Sequence, residues 1–226
     1  MDVKLRKIER APSLKEKAYQ NIKHIILHDL SGDSPLIVDE LANQLGISRT
    51  PVREALLALE SEGLVNTEPN KGTFVTVPCV EEIRKIYQVR SALESLAVKL
   101  ATPLIPDAEL QKLKVAFESA QQGIEAGDYA AYLRCDAEFH RLTVGYSGNE
   151  ILGQLIENLE DRIFRVRVHA RKKSTHHLIL AHREHGAVLE ALLERNADKA
   201  ELEMKKHLEK AAKRVETIIV AGDIAG

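Results

Sequence analysis

The stretch LGISRTPVREAL, residues 45–56, decides the fold of the first part of the chain. Gly46 tolerates the positive φ that a tight turn between two helices needs, and Ala42 is small enough to lie where the helices cross. Ser48 is a typical N-cap residue, and Pro51 is tolerated only in the first turn of a helix. The stretch therefore predicts a helix-turn-helix whose second helix begins just after Ser48.

Helical periodicity extends on both sides of this motif, and then the period changes to that of strands. Helices are predicted at about 14–27, 39–45 and 49–62. Two short strands are predicted at 64–67 and 73–77, joined by the turn-forming run PNKG at 69–72. A hairpin directly after a helix-turn-helix predicts a winged helix.

The start of the second motif helix presents two arginines and two hydroxyls, namely Ser48, Arg49, Thr50 and Arg53. Such groups suit phosphate oxygens and guanine edges in a major groove. Lys71 and Gly72 lie at the predicted tip of the hairpin, and a basic arm precedes the first helix (Lys4, Arg6, Lys7 and Arg10). The pattern predicts binding to double-stranded DNA, and the alternative is a two-helix corner with solvated arginines.

Composition limits the remaining classes. With 32 Lys and Arg against 34 Asp and Glu, the bulk charge indicates neither a nucleic-acid nor a membrane partner. Only 12 Gly, 7 Pro and 4% aromatic residues argue against a β-sandwich or barrel. The 2 cysteines exclude a disulfide framework. No signal peptide and no apolar run of about 20 residues are found, so a cytoplasmic protein is expected.

The second part of the chain carries helical patterns alone. Six helices are predicted at about 80–101, 107–126, 129–146, 150–172, 175–195 and 198–221. Short connections between them predict an antiparallel bundle. The predicted fold is therefore mainly α, with a winged helix-turn-helix domain at 1–78 and an all-helical domain at 79–226.

Four polar residues interrupt apolar stripes that should face the bundle interior: Asp136, His140, His185 and His207. An unpartnered buried polar group costs about 2–7 kcal/mol, so these groups need partners. A shared divalent metal, Zn²⁺ or Ni²⁺, is one solution, and its residual charge near +1 would attract a small carboxylate. Hydrogen bonds to other protein groups are the alternative to a metal. Among the possible ligands, His182 competes with His185, and His176 with His177 forms a further possible pair of donors.

Both parts of the chain resemble one known family. The runs SRTPVREA (48–55), EGLV (62–65) and NKGTFV (70–75) resemble the DNA-binding domain of GntR-type transcriptional regulators. The runs RSALE (90–94), DAEFH (136–140), SGN (147–149), EH (184–185) and KHL (206–208) resemble the FCD effector domain of the FadR branch. One departure is Asp39, where some members carry a basic DNA contact.

The resemblance implies the roles of the residues and the activity. Arg49 and Arg53 would contact bases or phosphates, and Gly72 would approach the minor groove. Asp136, His140, His185 and His207 fall on the metal-ligand positions of the family. Arg90 falls on a position that meets the carboxylate of the effector.

We therefore expect a homodimeric regulator, not an enzyme, that binds an inverted-repeat operator and responds to a small carboxylate metabolite at a divalent-metal site. The first and fourth bundle helices are the candidate dimer surface. A metal sensor is the alternative, and a metal-dependent enzyme with a winged-helix module is less expected because no positioned general base accompanies the site.

Overall fold

The computed structural model describes residues 12–30, 32–76, 79–173 and 176–223. The chain divides into two units, Met1–Val77 and Pro78–Gly226. Each unit encloses its own hydrophobic core. The basic arm predicted before the first helix lies outside the described residues.

The first unit contains three helices and a small antiparallel sheet. Its elements are α1 (Leu14–His28), β1 (Pro35–Leu36), α2 (Val38–Leu45), α3 (Arg49–Ser61), β2 (Val65–Glu68) and β3 (Gly72–Val75). The strands pair in the order β1-β3-β2, so β2 and β3 form the predicted hairpin. The winged helix is confirmed. Strand β1 was not predicted, because two residues are too few to show a period and its pairing with β3 is long-range.

Local hydrogen bonds explain where these helices begin and end. Ser13 and Glu16 form a reciprocal capping box at the start of α1, with bonds of 3.2 and 2.6 Å. Gly46 ends α2 at φ 65°, a left-handed conformation that glycine adopts without strain. Ser48 occupies the N-cap position of α3, but its side chain makes no capping hydrogen bond. The predicted N-cap position of Ser48 is therefore confirmed, without a side-chain capping bond.

The second unit is helical throughout its described residues. Its elements are α4 (Val80–Ala101), α5 (Asp107–Glu125), α6 (Ala130–Gly145), α7 (Glu150–Lys173), α8 (His176–Leu193) and α9 (Ala197–Asp223). The predicted bundle is confirmed, with helix ends within a few residues of those expected. One core cluster includes residues from four of these helices: Ile83 of α4, Phe139 of α6, Leu192 of α8 and Met204 of α9. No helix in this described part, or in the first unit, is long and apolar enough to span a bilayer.

The two cysteines differ in their surroundings. Cys79 is exposed and Cys135 is buried, and both are free thiols. Burial, helped by the neighbouring charges of Asp136 and Glu138, raises the pKa of Cys135 to about 11. Cys135 is therefore a protonated, packed side chain and not a thiolate ligand, as the sequence suggested.

Gly123 permits a close backbone contact at the end of α5. A Cβ atom built there would lie 2.7 Å from the carbonyl oxygen of Asp128. We expect Gly123→Ala to lower the free energy of unfolding by about 1 kcal/mol, because overpacking exceeds the gain in helix propensity. Urea unfolding measures the change. Gly145→Ala, with no atom within 4 Å of the new Cβ, should be neutral or stabilising. Equal stability of both variants would contradict the argument.

Candidate metal centre and nucleic-acid interface

Three buried imidazoles meet inside the second unit, one from each of α6, α8 and α9. His140, His185 and His207 each offer a ring nitrogen, and these three atoms lie within 4.8 Å of one another. The ring centroids of His185 and His207 are 4.1 Å apart, and those of His140 and His185 are 5.0 Å apart. Rings this close, drawn from three separate helices, can share one small cation.

Asp136 completes this group of side chains. Its Oδ1 atom lies 3.9 Å from His140 Nε2 and 3.7 Å from His185 Nδ1. The Tyr132 hydroxyl donates to the same oxygen at 3.3 Å. The structure thus brings all four residues singled out in the sequence to one place. We refer to Asp136, His140, His185 and His207 as the Asp-His₃ cluster.

One ring nitrogen of the cluster tests whether these residues fit a metal. His140 Nε2 is buried and makes no hydrogen bond to the described residues. An unsatisfied buried nitrogen costs about 1–3 kcal/mol. A cation coordinated by that nitrogen would remove the cost, and three imidazoles with one carboxylate are a donor set that Zn²⁺ and related ions accept. The residues therefore fit a divalent metal.

Behind two of the histidines lie buried Arg–Glu pairs. Glu94 contacts His140 Nδ1, and Arg90 Nε donates to Glu94 at 2.7 Å. The second pair follows the same plan, with a distance of 3.0 Å between Glu184 Oε2 and His207 Nδ1. Arg214 donates both of its terminal nitrogens to Glu184, at 2.6 and 2.7 Å. Each carboxylate thus joins an imidazole to a guanidinium.

These pairs hold defined charges. Burial alone would raise the pKa of Glu94, but Arg90 and His140 outweigh it and hold that pKa well below its usual range. Burial also opposes ionisation of Glu184, yet hydrogen bonds from His207 and Arg214 lower its pKa to about 2. Burial lowers the pKa of His207 to about 4, against the opposing effect of Glu184. At neutral pH, His207 is therefore in the neutral form that a metal requires.

The sequence analysis gave no role to Glu94, Glu184 or Arg214. Glu94 carried a usable signal, because it stands four residues after Arg90 and hence on the same helix face. Arg214 carried none, since only the packing of α8 against α9 brings it to Glu184. The predicted effector contact, Arg90, is 2% exposed and lies behind His140. Its role stays a prediction.

The other candidate histidines either lie outside the Asp-His₃ cluster or have side chains that the structure does not describe. His182 is buried and stacks on Phe117, with ring centroids 3.8 Å apart. It is not among the three histidines whose ring nitrogens lie within 4.8 Å of one another. The side chains of His176 and His177 lie outside the described residues. Of the two candidates on α8, the structure therefore places His185 in the cluster.

The low pKa of His207 makes the stability of the metal-free protein depend on pH. The folded protein binds fewer protons than the unfolded chain between the ordinary pKa of 6.5 and about 4. The free energy of unfolding should therefore fall by about 2 kcal/mol from pH 7 to pH 4.5 because of this group. Urea unfolding in the presence of a chelator measures it.

A matched pair of variants tests the cause. His207→Gln should flatten the pH dependence, whereas His24→Gln, which removes an exposed imidazole of the first unit, should retain it. The same slope in both variants would show that burial of His207 is not responsible.

The predicted DNA-binding residues lie on the surface of the first unit. Exposed positions at the start of α3 are Ser48, Arg49, Thr50 and Arg53. Lys71 and Gly72 are exposed at the turn between β2 and β3, where Gly72 has a φ of 114°. These positions are the ones a winged helix presents to a groove.

Two of these cations have acidic partners. Arg49 Nε lies 2.7 Å from Asp39 Oδ1, and Lys71 Nζ lies 2.7 Å from Glu68 Oε2. Both pairs are exposed, and such pairs contribute about 0–1 kcal/mol, so phosphates can displace them. If Arg49 contacts DNA as predicted, Asp39, the residue that departs from the family pattern, would compete with DNA for it.

This competition gives a prediction for Asp39. We expect Asp39→Ala to bind duplex DNA about 3- to 10-fold more tightly, because a negative charge and the partner of Arg49 are both removed. Fluorescence anisotropy with a labelled duplex measures the affinity. Asp29→Ala, at an exposed acidic residue just after α1, is the control that should change it less. Weaker binding by Asp39→Ala would show instead that Asp39 orients Arg49 for DNA.

Comparison with known proteins identifies the relationship. The profile of the gntR family of bacterial regulatory proteins matches residues 14–75, and that of the FCD domain matches residues 85–210. The Nta operon transcriptional regulator of Aminobacter aminovorans is 35% identical over 182 residues, which cover 80% of this chain and 83% of that protein. The chain belongs to the GntR family. It joins a GntR DNA-binding domain to an FCD domain, as the sequence motifs predicted.

Other relatives agree with this assignment. The repressor RspR of Escherichia coli is 26% identical over 204 residues, covering 90% of this chain and 89% of the repressor. The structure of E. coli McbR/YncC superimposes with a TM-score of 0.72 at 26% identity, covering 92% of this chain and 99% of that one. These relatives are named as transcriptional regulators and not as enzymes. The prediction that this GntR-family protein is a DNA-binding transcriptional regulator is confirmed.

Proposed function

We propose that this GntR-family protein is a cytoplasmic homodimer that binds an inverted-repeat operator and changes its operator affinity when a small carboxylate metabolite binds at a divalent-metal site. The observation that carries the proposal is the convergence of the Asp-His₃ cluster inside the FCD domain. Its three imidazoles meet beside an apolar core that includes Phe139, Leu189 and Met204.

The cluster supplies the ligands in this proposal. Asp136, His140, His185 and His207 would hold Zn²⁺ or Ni²⁺, and the bound ion would supply a positive charge and an open coordination position for a carboxylate. Arg90 donates to Glu94 through Nε alone among the contacts described. A guanidinium has five N–H groups, so Arg90 has donors with which to meet an effector carboxylate as well.

The DNA-binding unit supplies the reading head. Arg49 and Arg53 would contact guanine edges or phosphates, Ser48 and Thr50 the backbone, and the wing residues Lys71 and Gly72 the adjacent minor groove. A two-fold dimer would place two such heads on two half-sites. Exposed apolar side chains on α4 and α7 support these helices as the dimer surface: Val89, Leu96, Ile151 and Leu155.

The test measures operator affinity in two metal states. A duplex selected from a random pool by the metal-free protein serves as the probe, in anisotropy titrations of chelator-treated and Zn²⁺- or Ni²⁺-loaded protein. A panel of small carboxylic acids is then added to each state. We expect one acid to change operator affinity in the loaded state alone, by about 5- to 150-fold.

Other results separate the alternatives. A change of operator affinity on adding the metal, with no response to any acid, would favour a metal sensor. Acids that act equally on chelator-treated protein would place the effector away from the cluster. Failure of the loaded and the metal-free protein to bind any duplex would contradict the regulator itself.

A further inference from the structure

The Asp-His₃ cluster is backed by two series of side chains with the same order, the buried Arg90–Glu94–His140 and the partly buried Arg214–Glu184–His207. The geometry points to two duties for these series. The glutamates fix which ring nitrogen faces the metal, and the arginines cancel the charge of the glutamates, so that the site remains attractive to an anion. Glu94 and Glu184 are thus positioning residues, and Arg90 and Arg214 tune the charge.

The first duty follows from the hydrogen bonds. In a neutral imidazole one nitrogen carries the proton and the other can bind a metal. A carboxylate that accepts from Nδ1 holds the proton there and leaves Nε2 as the ligand atom. Glu184 lies 3.0 Å from His207 Nδ1, and Glu94 contacts His140 Nδ1. In His140, the ion-pair contact of Glu94 with Nδ1 leaves Nε2, which is buried, as the nitrogen that can face the metal.

The second duty follows from counting charges around the cluster. A divalent ion with the Asp136 carboxylate and three neutral imidazoles keeps one positive charge. Glu94 and Glu184 each contact one imidazole of the cluster and together add two negative charges. Without the arginines, these charges would make the net charge of the region negative. Arg90 and Arg214 restore the positive charge, and both are buried or nearly so, with Arg90 2% exposed and the Arg214 side chain 17% exposed. Water therefore screens these charges weakly, and their electrostatic effect extends to the proposed metal site.

This inference rests on the proposed metal site and goes beyond it in assigning the selection for anions to residues outside the cluster. It predicts that the two members of one pair affect different properties. Loss of Arg214 alone should weaken anion binding and leave the metal in place. Loss of both members of the pair should weaken the metal itself.

The experiment uses the full chain with Zn²⁺ competition against a chromophoric chelator, and acetate titration of the Co²⁺-loaded protein followed by visible absorption. We expect Glu184→Met/Arg214→Met to bind Zn²⁺ about 10- to 100-fold more weakly. In the metal-free protein, ¹⁵N NMR of His207 should show loss of the Nδ1–H tautomer. Arg214→Met should bind acetate about tenfold more weakly, because Glu184 becomes an uncompensated charge.

Glu184→Gln gives the opposite sign and covers the case in which Arg214→Met does not fold. It leaves Arg214 as an extra positive charge, so we expect acetate to bind more tightly than to the unaltered protein. The matched control is Arg84→Met/Glu216→Met, which removes an Arg–Glu pair of 3.0 Å between α4 and α9 that touches no histidine of the cluster. This control should change neither affinity.

Three results would overturn the inference. If Glu184→Met/Arg214→Met keeps the Zn²⁺ affinity and the His207 tautomer of the unaltered protein, Glu184 does not position His207 for the metal. If Glu184→Gln, and Arg214→Met where it folds, bind acetate with the affinity of the unaltered protein, these charges do not control anion binding at the site. Failure of the unaltered protein to bind Zn²⁺ or Co²⁺ would be seen before any variant is compared, and it would remove the proposed metal site and the inference with it.

Discussion

The double variant Arg49→Ala/Arg53→Ala is expected to bind the operator at least about 30-fold more weakly than the unaltered protein. A well-placed arginine bonded to a guanine is worth about 1–3 kcal/mol, so two of them account for this weakening. Both arginines are exposed at the start of α3, and their removal leaves the core of the first unit intact. The slope of log affinity against log salt should also fall by about 0.9 for each phosphate that the variant no longer neutralises.

A matched variant separates this specific effect from a general decrease in positive charge. Lys114→Ala/Arg134→Ala also removes two exposed cations, but from α5 and α6 of the second unit. It should bind the operator within about threefold of the unaltered protein. If both double variants lose affinity equally, binding depends on bulk charge and the assignment of α3 as the reading helix fails.

The variant His140→Ala should lose metal binding and the response to the effector together. Metal affinity should fall by more than about 100-fold, since removal of a ligand exceeds the 10- to 100-fold cost of losing a supporting group. Operator binding by the chelator-treated protein should remain unchanged, because the predicted DNA-binding residues lie in the other unit. Zn²⁺ competition and operator anisotropy measure the two properties on the same sample.

The control for His140→Ala is His182→Ala. His182 is also a buried imidazole of the second unit, but it stacks on Phe117 and lies outside the cluster. Its removal should cost stability and keep Zn²⁺ affinity within about threefold, as for a residue that does not bind the ion. Loss of operator binding by metal-free His140→Ala would indicate that this residue supports the fold and not the switch.

Local patterns were sufficient to predict most of the fold. The left-handed Gly46 and the turn at 69–72 are signals within a few residues, and each is where the structure has it. Strand β1 was missed because its two residues acquire strand geometry through pairing with β3, some forty positions later. Ser48 takes the predicted N-cap position, but residue type does not fix the direction of its hydroxyl, which makes no capping hydrogen bond.

The candidate site shows the same division between local and long-range information. Asp136 and His140 could be paired from their spacing, and the apolar stripes around His185 and His207 indicated that these rings face inward. The sequence could not place Glu94 beside His140, since that contact requires α4 to pack against α6. Nor could it show that Asp39 contacts Arg49 across the helix-turn-helix.

The two cysteines give the protein a built-in site for spectroscopic labels. The thiol of Cys135 is buried with a pKa of about 11, whereas Cys79 is exposed at the first position after the winged-helix unit and its linking proline. A maleimide spin label at pH 7 should therefore modify Cys79 selectively, without mutagenesis. In a two-fold assembly, the two labels would form one pair. Pulsed electron paramagnetic resonance could then follow the separation of the two labels as acids are added.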